Sequence, residues 1–126
     1  MTKDLIFIDV AKEYAGMSTA KKRHGAVVVR KGRIIGRGFN KTTNDPKTVS
    51  EEHIKTHCSR HAEVEAMRNA NWNVKGCTLY VARVSKSGRI GNSRPCEYCQ
   101  EKIEKMGIKK IVYTTGDKRW ISVYGL

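Results

Sequence analysis

The first forty residues combine one helical and two extended patterns of apolar positions. Over residues 4–17 the apolar side chains recur at helical spacing, which predicts a helix. Its predicted buried side consists of Ile6, Val10, Tyr14 and Met17. The β-branched run at 25–29 is too short for a helix and predicts a strand. A turn at 30–33 and a second apolar run at 34–39 complete a predicted β-hairpin.

A second helix is predicted over residues 60–71, after a polar loop at 40–58, with Ser59 as its N-cap. Its apolar arc consists of Ala62, Ala66, Met67 and Ala70, extended by Val64. Glu63 falls in the middle of this arc, where an unpaired carboxylate would cost about 2–7 kcal/mol in desolvation. A salt bridge or a local turn could account for this position. A carboxylate held in a pocket for proton transfer accounts for it better.

The remaining chain predicts a strand–helix–strand unit. Residues 78–84 form the clearest strand, and a basic loop at 85–94 leads to Pro95, which suits the first position of a helix. One face of this helix carries Cys96, Cys99, Ile103 and Met106, and Gly107 ends it. A strand at 109–114 then completes a crossover, which is expected to be parallel and right-handed. Residues 118–126 fit either a last edge strand or a tail over the site.

These elements predict an α/β fold. A hairpin, a crossover and at least three helices give a mixed sheet of about five strands with helices on both faces, which is a three-layer α/β/α architecture. At 126 residues the chain is long enough for one hydrophobic core and is predicted to be a single domain over residues 1–126.

The charged residues indicate more about possible partners than the hydrophobic residues do. The chain has 25 Lys and Arg against 12 Asp and Glu, a formal net charge of +13. Such an excess indicates a polyanionic or phosphate-bearing partner, although a merely soluble basic surface would give the same count. No membrane partner is expected, because no apolar run approaches the roughly 20 residues of a membrane span. The N-terminus also lacks a signal-peptide cleavage pattern, so a reducing, cytoplasmic location is expected.

Four side chains at the starts of the last two predicted helices carry the candidate chemistry. His61, Cys96 and Cys99 offer one imidazole and two thiolates, which can hold zinc and leave its fourth position open. The partial positive charge of a helix N-terminus favours the thiolate form of cysteine. Glu63 supplies a carboxylate that can move protons beside that metal. The arrangement predicts Zn²⁺ as cofactor and hydrolysis as the reaction type.

Several other interpretations use the same residues. A structural zinc site in a non-enzymatic, basic nucleic-acid-binding module would need a fourth ligand. The candidates for that ligand are His57, Cys58 and Cys77. A thiol redox protein would also carry Cys-x-x-Cys, and the two cysteines could simply be core residues. His53, His57 and Cys58 could suggest a second metal site, but their spacing is incomplete and favours a loop near the active site.

The His-x-Glu motif and the Pro-Cys-x-x-Cys motif together are a more specific indication of function than either motif alone. His61-Ala62-Glu63 together with Pro95-Cys96 through Cys99 resembles the zinc motifs of the cytidine and deoxycytidylate deaminase superfamily. The likeness covers most of the chain. Residues 23–40 resemble the opening strands of the branch that includes deoxycytidylate and tRNA-editing deaminases, and residues 107–113 resemble the strand after the second motif.

The resemblance implies a role for each candidate residue. His61, Cys96 and Cys99 would bind zinc, and Glu63 would transfer protons to the ring nitrogen and the leaving ammonia. Asn40 would donate a hydrogen bond to the sugar or base, and the backbone around Ala62 would hold the base edge. Arg94 and Tyr98, beside the second motif, are further candidate substrate contacts. For Tyr98, packing is an equal alternative.

The implied reaction is deamination of cytosine to uracil. The expected substrate is a free cytidine or deoxycytidine nucleotide or nucleoside, such as dCMP. The alternative substrate is cytosine or adenine in single-stranded DNA, RNA or tRNA, which the net charge of +13 favours. The resemblance also implies a homo-oligomer, a dimer or tetramer.

Overall fold

The fold comes from a computed structural model that describes residues 2–18, 23–42, 59–85, 87–95, 97–116 and 121–125. Three helices lie in these ranges: α1 (Thr2–Ala15), α2 (Ala62–Asn69) and α3 (Glu97–Lys105). The strands in the first half are β1 (Arg23–Arg30), β2 (Arg33–Phe39), β3 (Lys41–Thr42) and β4 (Ser59–Arg60). Those in the second half are β5 (Thr78–Val84), β6 (Ile90–Gly91), β7 (Lys110–Thr114) and β8 (Ile121–Gly125).

The main sheet is mixed, as predicted. Its strand order is β2-β1-β5-β7-β8, and β6 pairs with β5 beside this path. Strand β5 is antiparallel to β1 but parallel to β7, so the predicted parallel crossover through α3 is confirmed. The last stretch of chain is an edge strand, because β8 pairs antiparallel with β7. Strands β3 and β4 form a separate two-stranded pair.

Helices cover both faces of the sheet, which confirms the three-layer architecture. On one face α1 buries Ile8 and Ala11 among side chains of the central strands, including Val27, Tyr80 and Val112. On the other face α2 and α3 enclose the larger core. That core includes Ala66, Met67, Cys77, Val81, Ile103 and Ile111.

The hairpin forms as predicted because its turn suits the residues it contains. Lys31 and Gly32 both have positive φ, at 48° and 78°, which is the backbone of a two-residue turn matched to the twist of the flanking strands. Glycine adopts this conformation without a steric cost.

Helix α1 is present, and Val10 and Tyr14 pack against the core as predicted, but the prediction is wrong for Ile6 and Met17. Ile6 and Met17 are 55% and 58% exposed, and the buried face is Ile8, Ala11 and Ala15. The reason is the close approach of the helix to β1. A Cβ on Gly25 would lie 2.1 Å from the carbonyl oxygen of Ala11, so only small side chains fit at this contact. Apolar periodicity alone favoured the larger residues.

The described part of the chain contains no helix that is long and apolar enough to cross a membrane.

Candidate active site

The first half of the motif lies at the start of α2. The helix begins at Ala62, and His61 is its N-cap residue with extended backbone (φ −81°, ψ 139°). The predicted N-cap, Ser59, is wrong, because Ser59 belongs to β4 and is paired there with Thr42. No side chain caps the helix, and the first backbone bond of the turn runs from the Glu65 N–H to the His61 carbonyl.

The second half of the motif meets the first across the α2–α3 contact. The Nδ1 atom of His61 lies 2.8 Å from the Sγ atom of Cys99. These two atoms and a carboxylate oxygen of Glu63 all lie within 4.8 Å of one another. Cys99 is fully buried and Glu63 is 3% exposed, which confirms the predicted burial of Glu63. Cys96, the other predicted ligand, lies outside the described residues.

Two glycines of β2 let α2 lie directly on the sheet. A Cβ on Gly36 would stand 2.3 Å from the carbonyl oxygen of Ala66. A Cβ on Gly38 would stand 2.6 Å from the amide nitrogen of Ala66. The backbone N–H of Arg37, between the two glycines, donates to Asn69 Oδ1 at 3.0 Å. The helix that carries His61 and Glu63 is therefore fixed in depth and along its axis.

The donor set suits zinc. An imidazole nitrogen and a thiolate sulfur are ligands that zinc prefers, whereas calcium and magnesium prefer oxygen. Within the described ranges, the group able to hold a metal consists of His61, Glu63 and Cys99. Cys77, which a structural zinc site could recruit, is buried in the core outside this group and lies 3.9 Å from the Lys75 carbonyl oxygen. His57 and Cys58 lie outside the described residues.

Asn40 follows β2, and its side chain is held by two other segments. The Ser18 hydroxyl lies 2.6 Å from Asn40 Oδ1 and 2.8 Å from the Asn40 carbonyl oxygen, and can donate to either. The backbone N–H of His24 donates to Oδ1 at 2.8 Å. Asn40 is 6% exposed. The two hydrogen bonds to Oδ1 thus fix the orientation of the Asn40 amide group. Ser18, which makes one of them, is a supporting residue that the sequence patterns did not reveal.

The other predicted substrate contacts lie at the start of α2 and around the second motif. Ala62 is fully buried at the first position of α2. Arg94 is exposed, and its backbone N–H donates to Asn92 Oδ1 at 2.9 Å. Tyr98 lies in the first turn of α3, but its side chain is outside the described part. Ser93, beside Arg94, is buried and was not singled out from sequence.

Comparison with known proteins decides the family. The family model described as "Cytidine and deoxycytidylate deaminase zinc-binding region" matches residues 1–115. The chain belongs to this family. The match includes His61, Glu63 and Cys99, which the fold brings together, and it confirms the resemblance and the predicted zinc cofactor.

Individual relatives fall into more than one branch. The riboflavin biosynthesis protein RibD of Aquifex aeolicus is 32% identical over 110 residues, which are 87% of this chain and 26% of that protein. The chain thus spans about a quarter of that relative's length.

Two solved structures share the fold. One is the diaminohydroxyphosphoribosylaminopyrimidine deaminase/5-amino-6-(5-phosphoribosylamino)uracil reductase of Thermotoga maritima. It is 26% identical with a TM-score of 0.61, and the match covers 93% of this chain and 30% of that one. The other is the apo dCMP deaminase of cyanophage S-TIM5. It is 23% identical with a TM-score of 0.66, and the match covers 89% and 82% of the two chains. The second likeness concerns the fold alone.

The family and the site geometry together identify a zinc-dependent deaminase domain. The family match favours the enzymatic interpretation over the non-enzymatic one. Of the candidate fourth ligands of a structural zinc site, Cys77 lies outside the metal-binding group, and His57 and Cys58 lie outside the described residues.

Proposed function

We propose that this chain hydrolyses the exocyclic amino group of a cytosine ring, giving uracil and ammonia, and that its substrate is a free (deoxy)cytidine nucleotide or nucleoside such as dCMP. The observation that carries the proposal is the convergence of His61, Glu63 and Cys99 within 4.8 Å at the α2–α3 contact. A buried carboxylate beside two zinc-type donors is the arrangement that hydrolytic deamination needs.

His61, Cys96 and Cys99 hold the metal in this proposal. Zinc, when bound there, supplies Lewis-acid activation of a water molecule. Glu63 takes a proton from that water and delivers it to the ring nitrogen, then carries a second proton to the departing amino group. Water thus adds oxygen to the ring carbon, the carbon–nitrogen bond breaks, and ammonia leaves. Burial of Glu63 keeps bulk water from competing for these protons.

The substrate assignment draws on the names of the relatives. A Schizosaccharomyces pombe relative, 28% identical over 133 residues, is named deoxycytidylate deaminase, and the Thermotoga enzyme is named for a phosphoribosyl aminopyrimidine. The chemistry that these two names share is an amino-bearing pyrimidine attached to a phosphorylated sugar. Asn40, the backbone of Ala62, Arg94 and Tyr98 are the proposed contacts to such a molecule. Arg94 is exposed and cationic, so it suits the phosphate.

A glutamate substitution tests the reaction. In Glu63→Gln the side chain keeps its size but cannot carry protons, so ammonia release should fall by at least about 100-fold while zinc content stays at the wild-type level. Glu65→Gln is the matched control, because Glu65 lies on the same helix and is only partly buried. Turnover of Glu63→Gln at the wild-type rate would exclude this mechanism.

A substrate screen tests the molecule that carries the base. Purified, zinc-loaded protein is incubated with cytidine, deoxycytidine, their monophosphates and a phosphoribosyl diaminopyrimidine, and ammonia is measured. The proposal expects dCMP or a related cytosine compound to react fastest. If only the diaminopyrimidine reacts, the chain acts on the substrate class of the riboflavin biosynthesis relatives instead. If no compound releases ammonia, the proposal of a free nucleotide or nucleoside substrate is rejected.

A groove along α2 favours a second candidate, deamination of a base in single-stranded nucleic acid. The groove has a volume of about 380 Å³ and lies between the end of β2 and α2. Its lining residues are Arg37, Gly38, Phe39, Glu65, Arg68, Asn69 and Asn71. Arg37 and Arg68 are both exposed, and the chain has a net charge of +13, so a phosphodiester backbone could follow this edge.

Salt dependence separates the two candidates. If oligonucleotides are the substrate, Arg37→Ala/Arg68→Ala should reduce the slope of log affinity against log salt by about 0.7 for each phosphate that the variant no longer neutralises. Lys105→Ala, on the exposed side of α3, is the control for simple loss of charge. Binding that does not change with salt, together with no editing of an oligonucleotide, rejects this candidate.

Two further parts of the proposal concern the surroundings of the protein. A homo-oligomer is expected. Its molar mass can be measured by light scattering during size-exclusion chromatography. A reducing, cytoplasmic location suits a site that depends on thiolates.

A further inference from the structure

A buried pair of hydroxyl groups lies at the point where the chain leaves the sheet for the second zinc motif. Ser93 is 1% exposed, and Thr114, the last residue of β7, is fully buried. The two hydroxyl oxygens are 2.8 Å apart. Neither residue has a role in the proposed reaction, and Ser93 is three residues before Cys96.

Ser93 connects the two parallel strands where their pairing ends. The paired register of β5 and β7 finishes at Val81 and Tyr113. Just beyond it, the Ser93 hydroxyl donates to the Val81 carbonyl at 2.8 Å and accepts from the Thr114 N–H at 2.7 Å. The Ser93 hydroxyl therefore replaces a direct backbone hydrogen bond between β5 and β7. The ends of the two strands are held apart, and the segment that contains Ser93 lies between them.

Thr114 fastens the same segment from the other side. Its hydroxyl lies 2.7 Å from the Gly91 carbonyl oxygen, to which it donates, and accepts from the Arg83 N–H at 3.2 Å. The Ser93 N–H in turn donates to the Thr114 carbonyl at 2.9 Å. The chain from Gly91 to Ser93 is thus tied to β5 and β7 through both hydroxyls and through its backbone.

This anchor lies immediately before the metal-binding segment. Pro95 is buried, and α3 begins at Glu97, two residues further on. Proline fixes its own φ and restricts the backbone of the residue before it, so Arg94 and Pro95 leave few conformations between Ser93 and the start of α3. Cys99, in that turn, must meet His61 on a different helix within hydrogen-bonding range.

We propose that Ser93, held by Thr114, is a positioning residue for the zinc site: it sets where α3 presents the Cys99 thiol to His61. Groups that orient metal ligands without touching the metal typically change metal affinity by 10–100-fold when they are removed. The inference rests on the zinc site of the proposed function, but it concerns the geometry of the ligands rather than the reaction.

The test measures zinc affinity by competition with a chelator, separately from thermal stability. Ser93→Ala and Thr114→Val each remove one hydroxyl, and each should weaken zinc binding by about tenfold. Thr114→Ser keeps the hydroxyl and should bind zinc with nearly wild-type affinity. Val27→Ala is the stability control, because Val27 is fully buried in the core under α1, on the opposite face of the sheet.

The comparison of these variants separates positioning from simple stability. Val27→Ala should lower the melting temperature and leave zinc affinity unchanged. The visible spectrum of the cobalt-substituted protein should change in Ser93→Ala and Thr114→Val but not in Val27→Ala, because the spectrum reports ligand geometry. If both hydroxyl deletions bind zinc as tightly as the wild type, the network serves stability alone and the inference is wrong.

Three other outcomes are also decisive. If Ser93→Ala does not fold, the pair Thr114→Val and Thr114→Ser decides the question, because equal zinc affinity in the two variants contradicts the inference. If the wild-type chain binds no zinc, the proposed function fails together with this inference. Wild-type zinc affinity with no deamination would reject only the proposed function.

Discussion

The backbone of Gly38 in β2 lies so close to α2 that a Cβ atom placed on it would stand 2.6 Å from the amide nitrogen of Ala66. Ala66 is one turn after the helix start that carries His61 and Glu63. The sheet and the catalytic helix are thus in direct backbone contact. The position of the site depends on the absence of a side chain at Gly38, as it does at Gly36.

Gly38→Ala should therefore move α2. The added methyl group meets backbone atoms that cannot rotate away, so we expect the free energy of unfolding to fall by about 1–3 kcal/mol. Displacement of α2 should also weaken zinc binding, because His61 would move away from Cys99. Chemical denaturation and chelator competition measure the two effects. Gly125→Ala is the matched control, since a Cβ there meets no atom within 4 Å.

Much of this arrangement could be predicted from sequence because it follows from local patterns. The placement of Glu63 on the apolar arc of a helix predicted its burial, and its exposure is 3%. The β-branched run of β1 and the Lys31-Gly32 turn predicted the hairpin. Such features depend on residues close in the chain, where periodicity and turn chemistry are informative.

The errors concern contacts between distant segments. The predicted burial of Ile6 and Met17 was wrong because Gly25, which excludes large side chains from the contact, is ten residues beyond Ala15. The hydrogen bond from Ser18 to Asn40 spans 22 residues, and the bond from the Thr114 N–H to the Ser93 hydroxyl spans 21. A serine in a polar stretch gives no local indication of a partner that only the folded sheet brings near.

The metal ligands give a second prediction. Cys99→Ser should weaken zinc binding by more than the roughly 100-fold seen when a supporting group is lost, because a thiolate ligand itself is removed. Cys96→Ser should match it, since both cysteines belong to the predicted ligand set. Zinc stoichiometry and chelator competition measure the loss.

Cys77→Ser serves as the control for that experiment. Cys77 is buried in the core next to the Lys75 carbonyl, outside the group formed by His61, Glu63 and Cys99. The variant should lose some stability but keep its zinc. Equal loss of zinc from Cys77→Ser and Cys99→Ser would indicate a structural site with Cys77 as a ligand and would contradict the open site proposed here.

Tyr80 gives a prediction about alkaline pH. Burial raises the pKa of Tyr80 above its usual value near 10, and the hydrogen bond and the negative charge of Asp4 raise it further. The Tyr80 hydroxyl donates to Asp4 Oδ1 at 2.6 Å. Because the pKa of Tyr80 is raised in the folded state, the stabilisation that the protonated Tyr80 hydroxyl gives to the folded protein is fully present below pH 10. It is progressively lost as the pH rises above the pKa of the unfolded chain.

Lys110 Nζ lies 3.6 Å from the same Asp4 oxygen, and Tyr80→Phe leaves this ion pair in place, so the comparison of wild type with Tyr80→Phe separates the tyrosine effect from lysine titration. Tyr80→Phe should lower the free energy of unfolding at neutral pH by about 2 kcal/mol, the value of a hydrogen bond to a charged group. The difference between wild type and Tyr80→Phe should shrink above pH 10. Asp4→Asn keeps an acceptor but removes the charge, so it should show a weaker pH dependence. A difference that does not change from pH 7 to 11 would contradict the assignment.

The last prediction concerns the role of Asn40 in substrate binding. Asn40→Asp keeps the oxygen that accepts from Ser18 and from the His24 N–H, but it replaces the amide nitrogen, the only group of this side chain that can donate. If that nitrogen donates to the sugar or base, the value of kcat/KM should fall by about tenfold or more, as expected for loss of one hydrogen bond and gain of a charge.

A readout of folding makes the Asn40 experiment decisive. Ser18→Ala removes the hydroxyl that orients the amide and leaves its nitrogen in place, so we expect a smaller loss of kcat/KM together with lower thermal stability. Asn40→Asp should show the opposite balance, a large loss of kcat/KM and a melting temperature above that of Ser18→Ala. If the two variants lose kcat/KM only in proportion to their loss of stability, Asn40 supports the fold and does not bind the substrate.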